Sequence, residues 1–138
     1  MGYMLITGGA GFIGSTLAKS AQENGWSVRV LDNLSTGLKQ TAEELRLMGI
    51  EVYIGDIRDL VLLDKAMEGC DAVAHLAAQV SVPISVSNPQ ETMSINVDGT
   101  SKVIAACLKH GVKRLVMASS AAVYGEAESL PLKEEDAG

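Results

Sequence analysis

Cysteine is scarce in this chain, with Cys70 and Cys107 its only two. They share no close spacing and lie in apolar surroundings, which points to two buried thiols rather than a disulfide or a metal pair. Basic charge is also thin. Eleven Lys plus Arg against seventeen Asp plus Glu give a formal net charge of -6, so there is no general basic surface for nucleic acid. No apolar run reaches the roughly 18 residues that span a bilayer, which argues against a membrane partner. The first residues read as a core strand, not as a charged region followed by a cleavable apolar one, and the expected location is cytoplasmic. Met1-Gly2 has the start of a myristoylation signal, but position 6 is Ile where that signal needs Ser or Thr.

What the chain does have is material for one globular domain. It is 138 residues long with 47% hydrophobic residues, enough for a single buried core over 1–138. Its most informative stretch is Thr7-Gly8-Gly9-Ala10-Gly11-Phe12-Ile13-Gly14, which follows the apolar run Tyr3 to Ile6 and opens into a helical pattern. Strand, glycine turn and helix in that order suit a pyrophosphate. The glycines let the backbone turn tightly and come close, and the free N–H groups and partial positive charge of the helix N-terminus stabilise an anion. A second apolar strand then delivers Asp32, about 20 residues past the glycines, where a dinucleotide fingerprint places an acid on the adenosine ribose. A carboxylate there accepts from ribose hydroxyls and repels a 2′-phosphate, so NAD is favoured over NADP.

Strand-like runs at Tyr3 to Thr7, Ser27 to Leu31, Glu51 to Ile54, Ala72 to Leu76 and Arg114 to Ala118 alternate with helical patterns. The helical candidates are Ile13 to Asn24, Leu38 to Met48, Leu60 to Glu68, and one long helix from about Pro89 to His110. This α/β alternation predicts a doubly wound parallel sheet with right-handed crossovers and strand order 3-2-1-4-5. Ligands in such sheets bind beyond the carboxyl ends of the strands, and every motif named here falls at such an end. On the last helix Val103, Ile104, Cys107 and Leu108 are expected to face the sheet. His75 reads as a hydrogen-bonded core residue, with no metal-ligand cluster beside it.

Five blocks carry a resemblance over nearly the whole chain. They are the Thr7 to Gly14 turn, Asp32-Asn33-Leu34-Ser35-Thr36-Gly37, Gly55-Asp56-Ile57-Arg58-Asp59, His75-Leu76-Ala77-Ala78-Gln79, and Ser119-Ser120-Ala121-Ala122-Val123-Tyr124-Gly125. In this order they resemble the extended short-chain dehydrogenase/reductase family, within it the NAD-dependent epimerase/dehydratase group of the UDP-glucose 4-epimerase type. The resemblance implies a Rossmann fold that holds NAD through Gly8, Gly11, Phe12, Ile13 and Gly14, and through Asp32, Asn33, Ser35, Thr36 and Gly37. It implies that Asp56 meets the adenine amino group and Ile57 packs on the ring, while Asp59 caps a helix. Leu76, Ala77, Ala78 and Gln79 would lie along the pyrophosphate and nicotinamide ribose, and Asn96 would shape the same region. Ser120 would position and polarise the sugar oxygen of a nucleotide sugar, a UDP-sugar by this likeness, with Ser119 the alternative if the register differs by one. Sugar dehydratases of the group place an acidic pair where this chain has Ala121-Ala122, so epimerisation is the better reading. The resemblance also implies a homo-oligomer.

The family's Tyr-x-x-x-Lys pair is missing. Tyr3, Tyr53 and Tyr124 are followed four positions on by Thr7, Ile57 and Glu128, and Tyr124 matches the family's Val-Tyr-Gly turn. The expectation is the NAD-binding portion of a nucleotide-sugar epimerase, truncated before the later strands and the substrate domain and inactive alone. The alternatives are a non-catalytic NAD-binding or regulatory module and a fragment of a nucleotide-sugar dehydratase.

Overall fold

A computed structural model describes residues 2–126 and 130–137. Five short apolar runs form the strands β1 (Tyr3–Thr7), β2 (Ser27–Asp32), β3 (Glu51–Ile54), β4 (Cys70–His75) and β5 (Arg114–Met117). All pair in parallel, in the order β3-β2-β1-β4-β5. Between them run helices α1 (Phe12–Glu23), α2 (Lys39–Leu47), α3 (Leu60–Met67), α4 (Val82–Ser87), α5 (Pro89–Met93) and α6 (Thr100–His110). The expected doubly wound sheet is present.

Strand alternation sorts the core into two layers. Ile6, Val28, Val30 and Ala74 pack with Ala18 and Ala21 of α1 and Leu45 of α2. Leu5, Leu31 and Val73 pack on the opposite face with Leu63, Ala66 and Met67 of α3 and Val103 and Cys107 of α6. A side chain such as Leu5, Leu31 or Leu63, fully shielded here, contributes roughly 1.5–3 kcal/mol by leaving water. Cys70 and Cys107 are both buried and free, as their sequence surroundings indicate. Asp59 caps α3, its carboxylate accepting from the Val61 and Leu62 amides.

Register sets the position of every loop that matters. Thr7 stands level with Leu31 on one side and His75 on the other. The ladder then continues one residue past the strands, with Gly8 N–H donating to Leu31 O, Leu76 N–H to Thr7 O, Gly55 N–H to Asp32 O and Ala118 N–H to His75 O. Five loops therefore leave the sheet from one rim.

Three details differ from the sequence reading. The stretch from Pro89 to His110 is not one α-helix. Between α5 and α6 the chain widens into a π-helical segment, Ser94–Gly99, for which hydrophobic spacing offers no marker because the pattern continues through it. Gly99 there leaves room for Ile57, whose Cδ1 would lie 2.6 Å from a Cβ at that position. Second, α4 forms within a stretch that carries little helical periodicity, started by the Ser81 hydroxyl accepting from Ile84 N–H and by a proline in its first turn. Third, Val103 and Cys107 face the sheet, but Ile104 is 39% and Leu108 79% exposed. Each lies one residue, about 100°, around the helix from the buried pair.

Candidate functional site

The glycine turn is folded tightly against itself and its neighbours. Gly8 adopts φ +71°, and a Cβ on it would sit 2.8 Å from the Ala77 nitrogen. A Cβ on Gly14 would lie 2.2 Å from Gly8 O, and one on Gly9 2.5 Å from a Val30 methyl. Gly9, absent from the sequence-predicted set, thus serves packing, while Gly8 and Gly14 close the turn. Gly11 is the N-cap of α1 and supplies no side-chain hydrogen bond, and no acidic residue stands in the first turn. The first-turn N–H groups lack intrahelical partners by construction of a helix. Phe12 and Ile13 hold their side chains in solvent, 92% and 67% exposed. What results is a backbone cradle at a helix N-terminus with no acidic side chain in its first turn, an arrangement suited to receive an anion.

Asp32 is built into the same cradle. It is 7% exposed, with one carboxylate oxygen accepting from Ala10 N–H and the other from Leu34 N–H, each at 2.8 Å. The acid thus joins the glycine turn to the loop after β2 and holds Leu34 in a left-handed conformation, φ 58°, which costs a non-glycine residue roughly 1–2 kcal/mol. Gly37 closes on the same carboxylate, since a Cβ there would be 2.8 Å from Oδ1. Asn33, Ser35 and Thr36 are exposed at the rim, and Asn33 Oδ1 accepts from Ser35 N–H.

Beyond β3, Asp56 is half-buried and paired with Arg58. Arg58 donates through Nε to Oδ1 at 2.9 Å and through Nη2 to Oδ2 at 2.8 Å. These bonds hold the Asp56 carboxyl below its ordinary range, against the smaller opposing effect of burial. The Ile57 side chain is 5% exposed and lies within the core. The loops after β2 and β3 therefore offer Asn33 and Asp56 as polar groups at the rim, while Ile57 belongs to the core.

The loop after β4 is fixed from two directions. Thr7 Oγ1 accepts from the Leu76 and Ala77 amides at 3.2 Å each and lies 2.7 Å from His75 Nδ1. A hydroxyl with two donors already on it has its own hydrogen to give, so Thr7 donates to Nδ1. His75 then carries its proton on Nε2 and donates to Thr100 Oγ1 at 2.9 Å. Burial pushes the His75 pKa down, which keeps the ring neutral in this role. From the other side Asn96 clips Gln79, with Oδ1 accepting from Gln79 N–H at 2.8 Å and Nδ2 donating to Gln79 O at 2.9 Å. Ala78 is exposed between these anchors. The Thr7, His75 and Thr100 chain carries no sequence signature beyond the residues themselves, because its members are brought together only by strand register.

Ser120 follows β5 on the same rim. It is exposed, and its hydroxyl accepts from Ala122 N–H at 3.2 Å, starting a short 3-10 turn over Ala121–Tyr124. Ser119 is exposed beside it. The structure thus brings Gly8 to Gly14, Asp32 to Gly37, Asp56 and Leu76 to Gln79 onto one edge of the sheet, with Ser120 at the end toward β5. Among the described residues no cluster of His, Cys, Asp or Glu is arranged to hold a metal ion, and no helix is long and apolar enough to cross a membrane.

Comparison with known proteins identifies the company this arrangement keeps. Residues 4–138 match the NAD dependent epimerase/dehydratase family. A UDP-glucose 4-epimerase of Streptomyces lividans is 42% identical over 136 residues, covering 96% of this chain and 40% of that protein. Among solved structures, a UDP-glucose-4-epimerase from Stenotrophomonas maltophila with bound NAD and formylated UDP-arabinopyranose superposes with TM-score 0.88 at 34% identity. That match covers 97% of this chain and 41% of the other. The UDP-glucose 4-epimerase of Thermus thermophilus, complexed with NAD, gives TM-score 0.86 at 38% identity over 96% of this chain and 42% of its own. The chain thus spans about 40% of the length of the relatives it matches.

Proposed function

Because this chain belongs to the NAD dependent epimerase/dehydratase family, we propose that residues 1–138 form the NAD-binding portion of a nucleotide-sugar epimerase of the UDP-glucose 4-epimerase type. The observation that carries this reading is the cradle itself. The closed glycine turn, the uncapped start of α1 and the Asp32 carboxylate meet on one rim. That geometry suits a pyrophosphate flanked by a ribose.

In this reading the first-turn amides of Phe12, Ile13 and Gly14 face the pyrophosphate, while the Gly11 amide donates to Gly8 O and closes the turn beneath it. The remaining acceptor capacity of Asp32 goes to the adenosine ribose hydroxyls, with Asn33, Ser35, Thr36 and Gly37 lining its edge. A 2′-phosphate at that position would lie against a carboxylate. Asp56 and Ile57 belong to the adenine end, and Leu76, Ala77, Ala78 and Gln79 to the nicotinamide end, held by Asn96. NAD, when bound, supplies reversible hydride transfer at a sugar carbon. Ser120 is the hydroxyl positioned to orient the sugar oxygen of a UDP-sugar. The 138 residues contain no Tyr-x-x-x-Lys pair, so none of their tyrosines is given the proton-transferring role in this reading. The Ala121-Ala122 pair, which offers no acid for elimination, speaks against a dehydratase.

Met93, Val97, Ile104 and Leu108 are all exposed apolar residues along the α5 to α6 helix. This stripe supports a homo-oligomer, expected in light scattering as a mass above one chain; a clean monomer at high concentration would remove that part of the reading. The buried free thiols fit a reducing cytoplasm. Calorimetric titration of the purified chain with NAD, with NADP as control, tests the cofactor reading. Saturable binding is expected with NAD, and at least about tenfold weaker binding with NADP, the equivalent of 1.4 kcal/mol. A folded, cofactor-free chain that binds neither would overturn it.

A further inference from the structure

The cofactor reading leaves Arg58 without a part, yet Arg58 is the most heavily bonded side chain at the rim. Its guanidinium donates to both oxygens of Asp56 and to Ser94 Oγ at 3.0 Å, and it forms an ion pair with Glu91 Oε1 at 2.9 Å. Its own backbone carbonyl accepts from Lys102 Nζ. One side chain thus joins the loop after β3 to α5 and to the π-helical segment that carries Asn96.

We propose that Arg58 is a positioning residue that ties the adenosine end of the cradle, through Asp56, to the nicotinamide end, through the helix whose Asn96 clips the Gln79 backbone. The inference rests on the NAD reading for the names of those two ends; the tie itself is a property of the cofactor-free chain. Only a planar fork can serve it. A guanidinium presents five N–H groups in fixed directions and can meet a carboxylate in bidentate fashion while still donating sideways. An ammonium carries its three donors on one nitrogen, so it cannot meet both oxygens of Asp56 through two nitrogens while a third reaches Ser94. The side chain is 26% exposed, so its bonds are partly shielded from water and hold geometry better than a surface pair. From Ser94 the path to Gln79 is short, since Asn96 lies two residues on in the same segment and makes two hydrogen bonds to one residue's backbone. Anchoring the segment at Arg58 fixes where Asn96 points, and so fixes the loop from Leu76 to Gln79.

The test reads amide exchange in the protein without cofactor. In Arg58→Met, the Gln79 amide is expected to exchange about tenfold faster, while the core amides of Leu5 and Ile6 keep their wild-type rates. The double variant Glu91→Ala, Ser94→Ala removes both helix-side partners while leaving the Asp56 pair intact, and is expected to give the same acceleration. Arg58→Lys is expected to leave most of the defect. The NAD dissociation constant should rise about tenfold in both the Met and the double variant, as for coupled neighbours in one network. Gln79 exchange that changes no more than that of Ile6, or that Arg58→Lys restores in full, would overturn the tie. An acceleration in Arg58→Met without one in the double variant would overturn the route through the helix. A wild-type chain that binds no NAD would overturn the cofactor reading, and the exchange rates would still decide the tie.

Discussion

Gly14→Ala is expected to destabilise the chain by about 3 kcal/mol and to abolish NAD binding, although alanine is the better helix former. Gly14 lies in the first turn of α1, where that exchange in an open helix gains up to about 1 kcal/mol. Here the sign reverses because the added carbon would stand 2.2 Å from Gly8 O and 2.7 Å from Gly9 Cα. Both are backbone atoms, so no rotamer change relieves the contact and the phosphate-facing turn itself must move. Gly49→Ala provides the contrast. Gly49 has φ +84° with nothing within 4 Å of the new carbon, so that variant is expected to cost only about 1–2 kcal/mol of conformational strain and to bind NAD normally. Urea unfolding of both variants, read as a midpoint shift at constant slope, checks the pair. A Gly14→Ala protein as stable as wild type would show that the turn is looser than described.

Asp32→Ala is expected to lower NAD affinity by at least about a hundredfold, the equivalent of 2.8 kcal/mol. Two losses combine. The side chain accepts from Ala10 and Leu34 amides, and removing a buried acceptor leaves each donor short of a partner, at about 1–3 kcal/mol per group. The ribose hydroxyls lose their acceptor as well. The first loss weakens any dinucleotide, whereas the second is particular to NAD, so the ratio of NAD to NADP affinity separates them. That ratio is expected to fall toward one in the variant. Unchanged NAD affinity would remove Asp32 from the cofactor site, and a lower affinity with an unchanged ratio would leave it only the task of holding the turn.

The fold was largely legible because its signals are periodic and local. Tyr3 to Thr7 and Ser27 to Leu31 are apolar runs bounded by glycine turns, and their alternation with helical patterns dictates a parallel sheet. The order β3-β2-β1-β4-β5 follows from right-handed crossovers, and the structure bears it out. The rim was legible for the same reason, since a motif at a strand's carboxyl end is placed by the strand. What escaped the sequence depends on contacts between distant segments or on turns with no pattern of their own. The π-helical segment leaves hydrophobic spacing nearly intact. The crowding of Gly9 against Val30 and the chain of Thr7, His75 and Thr100 arise only once β1, β2, β4 and α6 are in register. Ile104 and Leu108 have the apolar character of core residues yet stand exposed, because apolar character implies burial in one direction only. The double engagement of Arg58 could have been suspected from the acid two residues before it, but not its reach to Glu91 and Ser94.

The claim at the centre is that one rim of this sheet is a dinucleotide cradle, and amide exchange with and without saturating NAD tests it most directly. Slowed exchange is expected at Phe12 to Gly14, Asn33 to Gly37 and Ala77 to Gln79, with the opposite end of the sheet unchanged. Saturable NAD binding whose protection falls elsewhere, or leaves the Phe12 to Gly14 amides untouched, would contradict the cradle.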